Sequence, residues 1–381
     1  MKFFSNTESN ELRKFFDLDL VDKEIVFYSE DKNSMIIFDS IIDELINNYN
    51  VKICYVTSSE EELNLISKNK NIKAFYIGDG IVRTKFFLEL KARILIMTMP
   101  DLGTFHIKRS KIYPVHYLYM FHAMLSTHMV YRKNAFDQFD TIFCVGPYQI
   151  KEIEETEKKY NLKPKNLIKF GYNHLDNLLE KYSEKSDDHK EIINQVIIAP
   201  SWGKNGLFET VIEEVIDTLL KSGLKTVLRP HPMSQKKSKK RVIAIQKKYS
   251  SNPNFILETN IPNFESLKKS DIMISDWSGV ALEFAFVFEK PIIFIDVPKK
   301  INNSDYEKIS LIPIEENIRD KIGIVLKETE INLLTKKIFE IHEHQLEFKE
   351  KIKKIREETI FNIGQSTKIG AENIIKLLNE L

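Results

Sequence analysis

The residues best equipped for chemistry fall in one stretch, Ser275-Asp276-Trp277-Ser278-Gly279-Val280-Ala281-Leu282-Glu283, just after the apolar run Ile272–Ile274 and at the head of an apolar helix. A strand, a Ser/Asp/Gly turn and a helix in succession leave unpaired backbone N–H groups and the positive helix end at the strand terminus, an arrangement that binds anions. Ser275, Asp276 and Ser278 add oxygens, and Gly279 lets a phosphate approach the backbone. Glu283, one turn in, can accept hydrogen bonds from ribose hydroxyls. Asp276 and Ser278 suit helix capping equally well, and spacing alone leaves both readings open.

A second group is Arg229-Pro230-His231-Pro232, at the end of the apolar run Val227–Leu228. The two prolines hold the chain extended, so Arg229 offers a planar fork for phosphate oxygens and His231 a donor for a bridging oxygen; a structural histidine in a proline turn is the alternative. Lys236, Lys237, Lys239, Lys240 and Arg241 follow, a basic run suited to a solvated helix face or to an anionic polymer or membrane. In Ala199-Pro200-Ser201-Trp202-Gly203 a strand stops at a proline and presents a hydroxyl and an indole, the latter able to stack on a base, wall an acceptor site or pack in the core. In the first half, Phe121-His122-Ala123-Met124-Leu125-Ser126-Thr127-His128 follows the run Val115–Met120. His122 or His128 can there serve as general base for a hydroxyl nucleophile.

These groups need strand ends to hold them. β-rich runs recur at 24–28, 52–57, 74–77, 94–98, 116–120 and 141–145, then at 195–199, 225–229, 255–257, 272–275 and 291–295. Helical patterns lie between them, such as Ser34–Tyr49 and Glu60–Lys68. Strands too apolar to alternate by face, alternating with helices, predict parallel sheets covered on both sides. The charged stretch Glu180–Glu191 reads as a hinge. The expected division is therefore an N-terminal Rossmann-like domain over 1–185, a second over 186–330, and C-terminal helices over 331–381 packing back on them. Strand ends of both domains would face a shared crevice.

Composition narrows the classes. Of 381 residues 43% are hydrophobic, which excludes disorder as the main theme. A net charge of +1 removes the global argument for nucleic-acid binding. Cys54 and Cys144 sit in apolar runs, so core positions in a reducing compartment are expected and a disulfide framework is not. No secretory leader and no apolar run of about 18 residues is evident, so a cytoplasmic protein, able to touch a membrane face, is expected. No dinucleotide fingerprint or P-loop lysine motif occurs. His106, His174, His342 and His344 give no zinc-site spacing, and no metal or obligatory cofactor is implied.

Together, Ala199-Pro200-Ser201-Trp202, Arg229-Pro230-His231-Pro232 and Ile274–Glu283 resemble, in order and spacing, the CDP-glycerol glycerophosphotransferase family of teichoic acid enzymes. The segments Tyr131–Pro147, Phe170–Asp176 and Phe361–Ile369 are also similar to stretches of that family, so the resemblance spans residues 113 to 381. It implies a GT-B fold and transfer of glycerol phosphate, or a related polyol phosphate, from CDP-glycerol to a hydroxyl acceptor in a teichoic acid or capsule polymer, with release of CMP. By the resemblance, His122 is the base, His231 with Arg229 steadies the diphosphate and leaving CMP, Ser278 and the Gly279 amide hold phosphate, and Glu283 binds ribose. Departures occur. The family's Trp-His-Gly-Thr-Pro reads Phe121-His122-Ala123-Met124-Leu125, which keeps His128 as an alternative base; a usual serine is Gly279 and a usual aspartate Glu283. A GT-B glycosyltransferase using a nucleotide sugar, and a non-catalytic scaffold of polymer assembly, are the competing readings.

Overall fold

The computed structural model describes residues 6–66, 71–104, 106–182, 192–259 and 264–381. They form two compact units: 1–177 with 303–309 and 360–381, and 178–302 with 310–359.

The first unit is built on seven strands, β1 (Ile25–Ser29), β2 (Ile53–Thr57), β3 (Ile72–Tyr76), β4 (Ile94–Met97), β5 (His116–Met120), β6 (Thr141–Cys144) and β7 (Asn166–Lys169). All pair in parallel, in the order β3-β2-β1-β4-β5-β6-β7. Every residue of β1, β2, β4 and β6 is buried, which is why these strands read as unbroken apolar runs. Strand β7, with the pattern Asn-Leu-Ile-Lys on the sheet edge, has both ends exposed and gave no such signal. The helix Ser366–Glu380 packs on the helix Lys32–Tyr49. Gly370 permits that approach, since a Cβ there would lie 2.6 Å from the Phe170 ring and 3.2 Å from Ile41.

The second unit holds six parallel strands, β8 (Val196–Ile198), β9 (Thr226–Leu228), β10 (Phe255–Leu257), β11 (Ile272–Ser275), β12 (Ile292–Asp296) and β13 (Gly323–Lys327). Their order is β10-β9-β8-β11-β12-β13. Ile198, Leu228, Ile274 and Ile293 meet Val215 and Leu219 of the helix Ile212–Lys221 and Ile338 and Ile341 of the helix Leu334–Glu343 in one core. Both sheets thus run outward in opposite directions from a central pair, β1/β4 in one and β8/β11 in the other. That pair marks the topological switch point, where loops diverge and leave room for a ligand.

The tail is divided rather than continuous. The helices Leu334–Glu343 and Gln345–Thr359 belong to the second unit, while Ser366–Glu380 completes the first. Division falls at 177/178 instead of 185/186, and 183–191, most of the expected hinge, lies outside the described residues. The segment 303–309 also joins the first unit: Asn303 Nδ2 donates to the His128 carbonyl at 2.9 Å and Lys133 meets Asp305 at 2.8 Å. Cys54 and Cys144 are buried and free, and burial pushes both thiols up. Among the described residues no helix is long and apolar enough to cross a membrane.

Gly323 opens β13 where it pairs with Ile292, and an added Cβ would overlap the Ile292 carbonyl. The backbone there is extended, so space alone forbids a side chain. Gly323→Ala is expected to destabilise the second unit by about 1–3 kcal/mol through overpacking. Urea unfolding measures this, and an unchanged midpoint would refute the β12/β13 register.

Candidate active site

The second unit's strand ends carry the denser cluster. Asp276 follows β11 at the switch point, and its carboxylate reaches across to the loop after β8. There the Ser201 N–H donates to Oδ1 at 2.6 Å, the Ser201 hydroxyl to Oδ2 at 2.9 Å and the Leu207 N–H to Oδ2 at 2.9 Å. The Ser275 hydroxyl donates to the Ala199 carbonyl at 2.7 Å. Ser201, Ser275 and Asp276 are buried, and their hydrogen-bonding capacity is committed within the protein. The sequence had given these three to a ligand; the structure uses them to fix the loop that carries Trp202.

That commitment removes Asp276 as a cap of the helix that follows. Asp276 is turned away from the helix Gly279–Phe288, and Ser278, at the N-cap in extended conformation, makes no side-chain cap hydrogen bond. The helix therefore presents its N-terminal amides without a side-chain partner, next to the Ser278 hydroxyl and Gly279. Glu283 lies further along the same helix and keeps some solvent contact. Burial pushes its carboxyl up to about 7, with the Arg229 charge pulling the other way.

Arg229 is not the open fork that the sequence suggested. It is 4% exposed, its guanidinium lies over Phe264 at 5.6 Å, and Nη1 meets Glu258 Oε2 at 3.3 Å, an oxygen that also accepts from the Ser266 hydroxyl at 2.5 Å. Burial lowers its pKa against the opposing pull of Glu258 and Glu283. Its charge conditions Glu283 from below the surface.

His231 caps the short turn after β9. The Met233 N–H donates to Nδ1 at 3.0 Å, so Nδ1 carries a lone pair and the ring proton sits on Nε2. Burial, reinforced by the Lys300 charge, pushes its pKa down to about 4. At neutral pH the ring is uncharged and offers an Nε2–H donor. Trp202 lies 6.3 Å from it, centroid to centroid, and two ammonium groups, Lys237 and Lys300, each stand 4.5 Å from the indole centroid. Sequence reasoning placed Lys237 only in a basic run and passed over Lys300. The signal was present, because β12 is followed by Val297-Pro298-Lys299-Lys300, the same succession of strand, proline and polar side chain as after β9.

In the first unit, His122 follows β5. Its Nδ1 lies 3.3 Å from the Thr98 carbonyl at the end of β4, an acceptor only, so Nδ1 holds the proton and Nε2 the free lone pair. Tyr172 fixes the backbone by donating its hydroxyl to the His122 carbonyl at 2.9 Å. The ring keeps exposed surface, yet desolvation by surrounding protein lowers its pKa; the Thr98 bond and the Asp31 charge oppose that shift. His128 differs. It is 3% exposed, with Nδ1 3.4 Å from Glu152 Oε1, while Glu152 Oε2 accepts from the Thr127 N–H at 2.6 Å and the Thr127 hydroxyl at 2.9 Å. A ring enclosed this way cannot reach an acceptor hydroxyl, so His128 is withdrawn as the alternative base.

With this geometry in place, the comparisons are informative. The sequence matches the family described as CDP-Glycerol:Poly(glycerophosphate) glycerophosphotransferase over residues 12–359. That match reaches far upstream of residue 113, where the motifs began. No curated protein sequence matches the chain. Among solved structures, the wall teichoic acid polymerase TagF soaked with CDPG superposes with a TM-score of 0.58 at 15% identity, over 98% of this chain and 94% of that one. UDP-GlcNAc 2-epimerase from Neisseria meningitidis bound to UDP-GlcNAc gives 0.59 at 17%, over 92% and 99%. MnaA from S. aureus with UDP gives 0.60 at 14%, over 94% and 98%. At these identities the likeness is one of fold, the GT-B type with its two doubly wound parallel sheets. The family match, in contrast, spans nearly the whole sequence and includes the strand ends on which His122, His231 and Ser278 are mounted, and by it the chain belongs to the CDP-glycerol:poly(glycerophosphate) glycerophosphotransferases, a family of transferases.

Proposed function

We propose that this transferase moves glycerol phosphate from CDP-glycerol to a hydroxyl of a growing wall polymer, of the teichoic acid or capsule kind, and releases CMP. The observation that carries this reading is the uncapped helix Gly279–Phe288 after β11, in the same sheet whose strand β9 leads to a neutral His231 with an Nε2–H donor. In this reading Ser278, Gly279 and His231 hold the diphosphate, and Glu283 accepts from the ribose hydroxyls. Trp202 forms a wall of the donor site.

Each unit holds a group that this chemistry would use. His122 Nε2 takes the proton of the acceptor hydroxyl as that oxygen bonds to the β-phosphorus. The bond from this phosphorus to the bridging oxygen breaks, and the electron pair leaves with CMP. His231 and the helix amides stabilise the charge gathering on the leaving phosphate by fixed dipoles that need no reorganisation. The Thr98 carbonyl keeps the His122 tautomer with Nε2 unprotonated and accepts from the imidazolium that forms. Remote conditioning of Glu283 by Arg229 favours its ionised form.

With the same reading we place the protein on the cytoplasmic face of a membrane, on the strength of one exposed basic face. In the helix Lys239–Tyr249, Lys240, Ile243 and Lys247 are exposed at three- and four-residue spacing, with Lys236 and Lys239 exposed nearby and Ile243 57% exposed. A basic face with one apolar side chain suits anionic headgroups.

His122→Ala is expected to lower transfer about 10²–10⁴-fold while donor affinity by calorimetry stays unchanged. Unimpaired turnover would remove His122 as base, and wild-type preference for uridine over cytidine ligands would favour a nucleotide-sugar transferase instead. Donor affinity is expected to fall as pH drops below about 7, because Glu283 protonates and loses the charge that strengthens its bonds from the ribose hydroxyls; CDP-glycerol itself has no group titrating there. Glu283→Gln should bind more weakly at pH 8 and show no such slope, and a retained slope would exclude Glu283. Co-sedimentation with vesicles rich in anionic lipid is expected at low salt, lost at high salt and in Lys239→Glu/Lys240→Glu/Lys247→Glu; no low-salt binding would reject the membrane assignment.

A further inference from the structure

Two ammonium groups in the second unit are held without a counter-ion. Lys300, half-buried past the end of β12, and Lys237, exposed past the end of β9, both stand over the Trp202 ring at 4.5 Å. Among the described residues neither makes an ion pair or a hydrogen bond. Asp276 would be the natural partner, since it acts on Lys300 electrostatically, but its oxygens are taken by Ser201 and Leu207. The other cation of the cluster, Arg229, is already paired with Glu258.

The face of one indole is a weak substitute for a carboxylate, worth about 0.5–2 kcal/mol per cation. Gathering two like charges there is unfavourable unless something anionic joins them. Burial keeps His231 neutral, and the Lys300 charge lowers its pKa further. Three kinds of donor thus lie past the ends of strands of one sheet: two flexible ammonium groups and one neutral imidazole N–H gathered at Trp202, and the amides of the uncapped helix after β11. The two ammonium groups, neither in a direct ion pair, are of the sign that a diphosphate diester needs. Trp202 keeps the lysine stems in place when the site is empty, which lowers the ordering cost of binding.

We infer that Lys300 and Lys237, poised on Trp202, are the cations that neutralise the donor's diphosphate, in place of the buried Arg229. This rests on the reading of the second unit as the donor site, and the outcomes below separate the two. Lysines also fit a step that ends in two separate phosphates better than a rigid fork would, because each stem can follow its own phosphate as the bridging bond breaks.

The test is calorimetric titration of wild type, Lys300→Met, Lys300→Arg and Lys237→Met with inorganic pyrophosphate and with CDP-glycerol, with tryptophan emission followed in parallel. Pyrophosphate should bind wild type and perturb its emission, and Trp202→Phe should abolish the perturbation. Lys300→Met should weaken pyrophosphate about 10–100-fold, Lys237→Met less, and Lys300→Arg should restore most of the loss. The salt dependence should fall in step with the charge removed. Because neither lysine bonds to the frame, melting temperatures should stay at the wild-type value. Pyrophosphate binding within twofold of wild type in both Met variants, or none in wild type, overturns the inference. Lysine-independent binding of CDP-glycerol overturns it while leaving the donor reading intact. Lysine-dependent pyrophosphate binding with no response to CDP-glycerol upholds the anion site and sinks the donor reading instead.

Discussion

The Asp276 carboxylate is the constraint on which the second unit's strand ends depend. It lies at the point where the sheet order reverses, between β8 and β11, where diverging loops have no neighbouring strand to pair with. By accepting from Ser201 twice and from Leu207 once, it turns a loop that would otherwise roam into a fixed platform. Trp202 stands on that platform and the two lysines stand on Trp202. Because the carboxylate bonds to the loop after β8, the helix after β11 is left without a side-chain cap at Ser278, so the bond that orders the loop also leaves that helix end open. Charge-assisted bonds of this kind are worth roughly 1.5–3 kcal/mol each, and a buried carboxylate stripped of them would destabilise both strand ends.

Sheet interiors were legible because burial on both faces leaves a local mark. Eleven expected runs correspond to strands β1–β6 and β8–β12, with ends displaced by a residue or two. The two strands that went unread are the last of each sheet, β7 and β13. An edge strand in Asn166-Leu-Ile-Lys169 or Gly323-Ile-Val-Leu-Lys327 needs only one covered face and carries lysine against edge pairing, which dilutes the very pattern that identifies a buried strand. The tail was equally opaque for a different reason. Amphipathic helices announce that they pack, but which sheet they pack on depends on partners distant in sequence, such as Gly370 against Phe170 and Ile41.

For the candidate site, sequence conveyed which strand ends matter and less about what each side chain does there. Ser201, Asp276 and Arg229 share composition with ligand-binding residues, yet their partners, 75 positions apart for Ser201 and Asp276 and 29 for Arg229 and Glu258, turn them inward. His128 looked as able as His122 until Glu152 enclosed it. Lys300 was passed over because a lysine after a strand is ordinary; only the shared indole makes it notable.

The two histidines left at the strand ends show how far backbone chemistry alone can assign roles. A carbonyl can only accept and an amide can only donate, so the Thr98 carbonyl leaves His122 with a bare Nε2 while the Met233 amide leaves His231 with an Nε2–H. Each ring is thereby set in the opposite tautomer without any carboxylate partner. Desolvation then lowers both pKa values, which keeps both rings neutral near pH 7. One neutral acceptor and one neutral donor are what an attack by a hydroxyl on a diphosphate requires. In the proposed transfer the acceptor takes the proton of the incoming oxygen, and the donor, already neutral, steadies the outgoing one. If either tautomer were reversed, the same residues would present two donors or two acceptors, and the proposed division of labour between them would be lost.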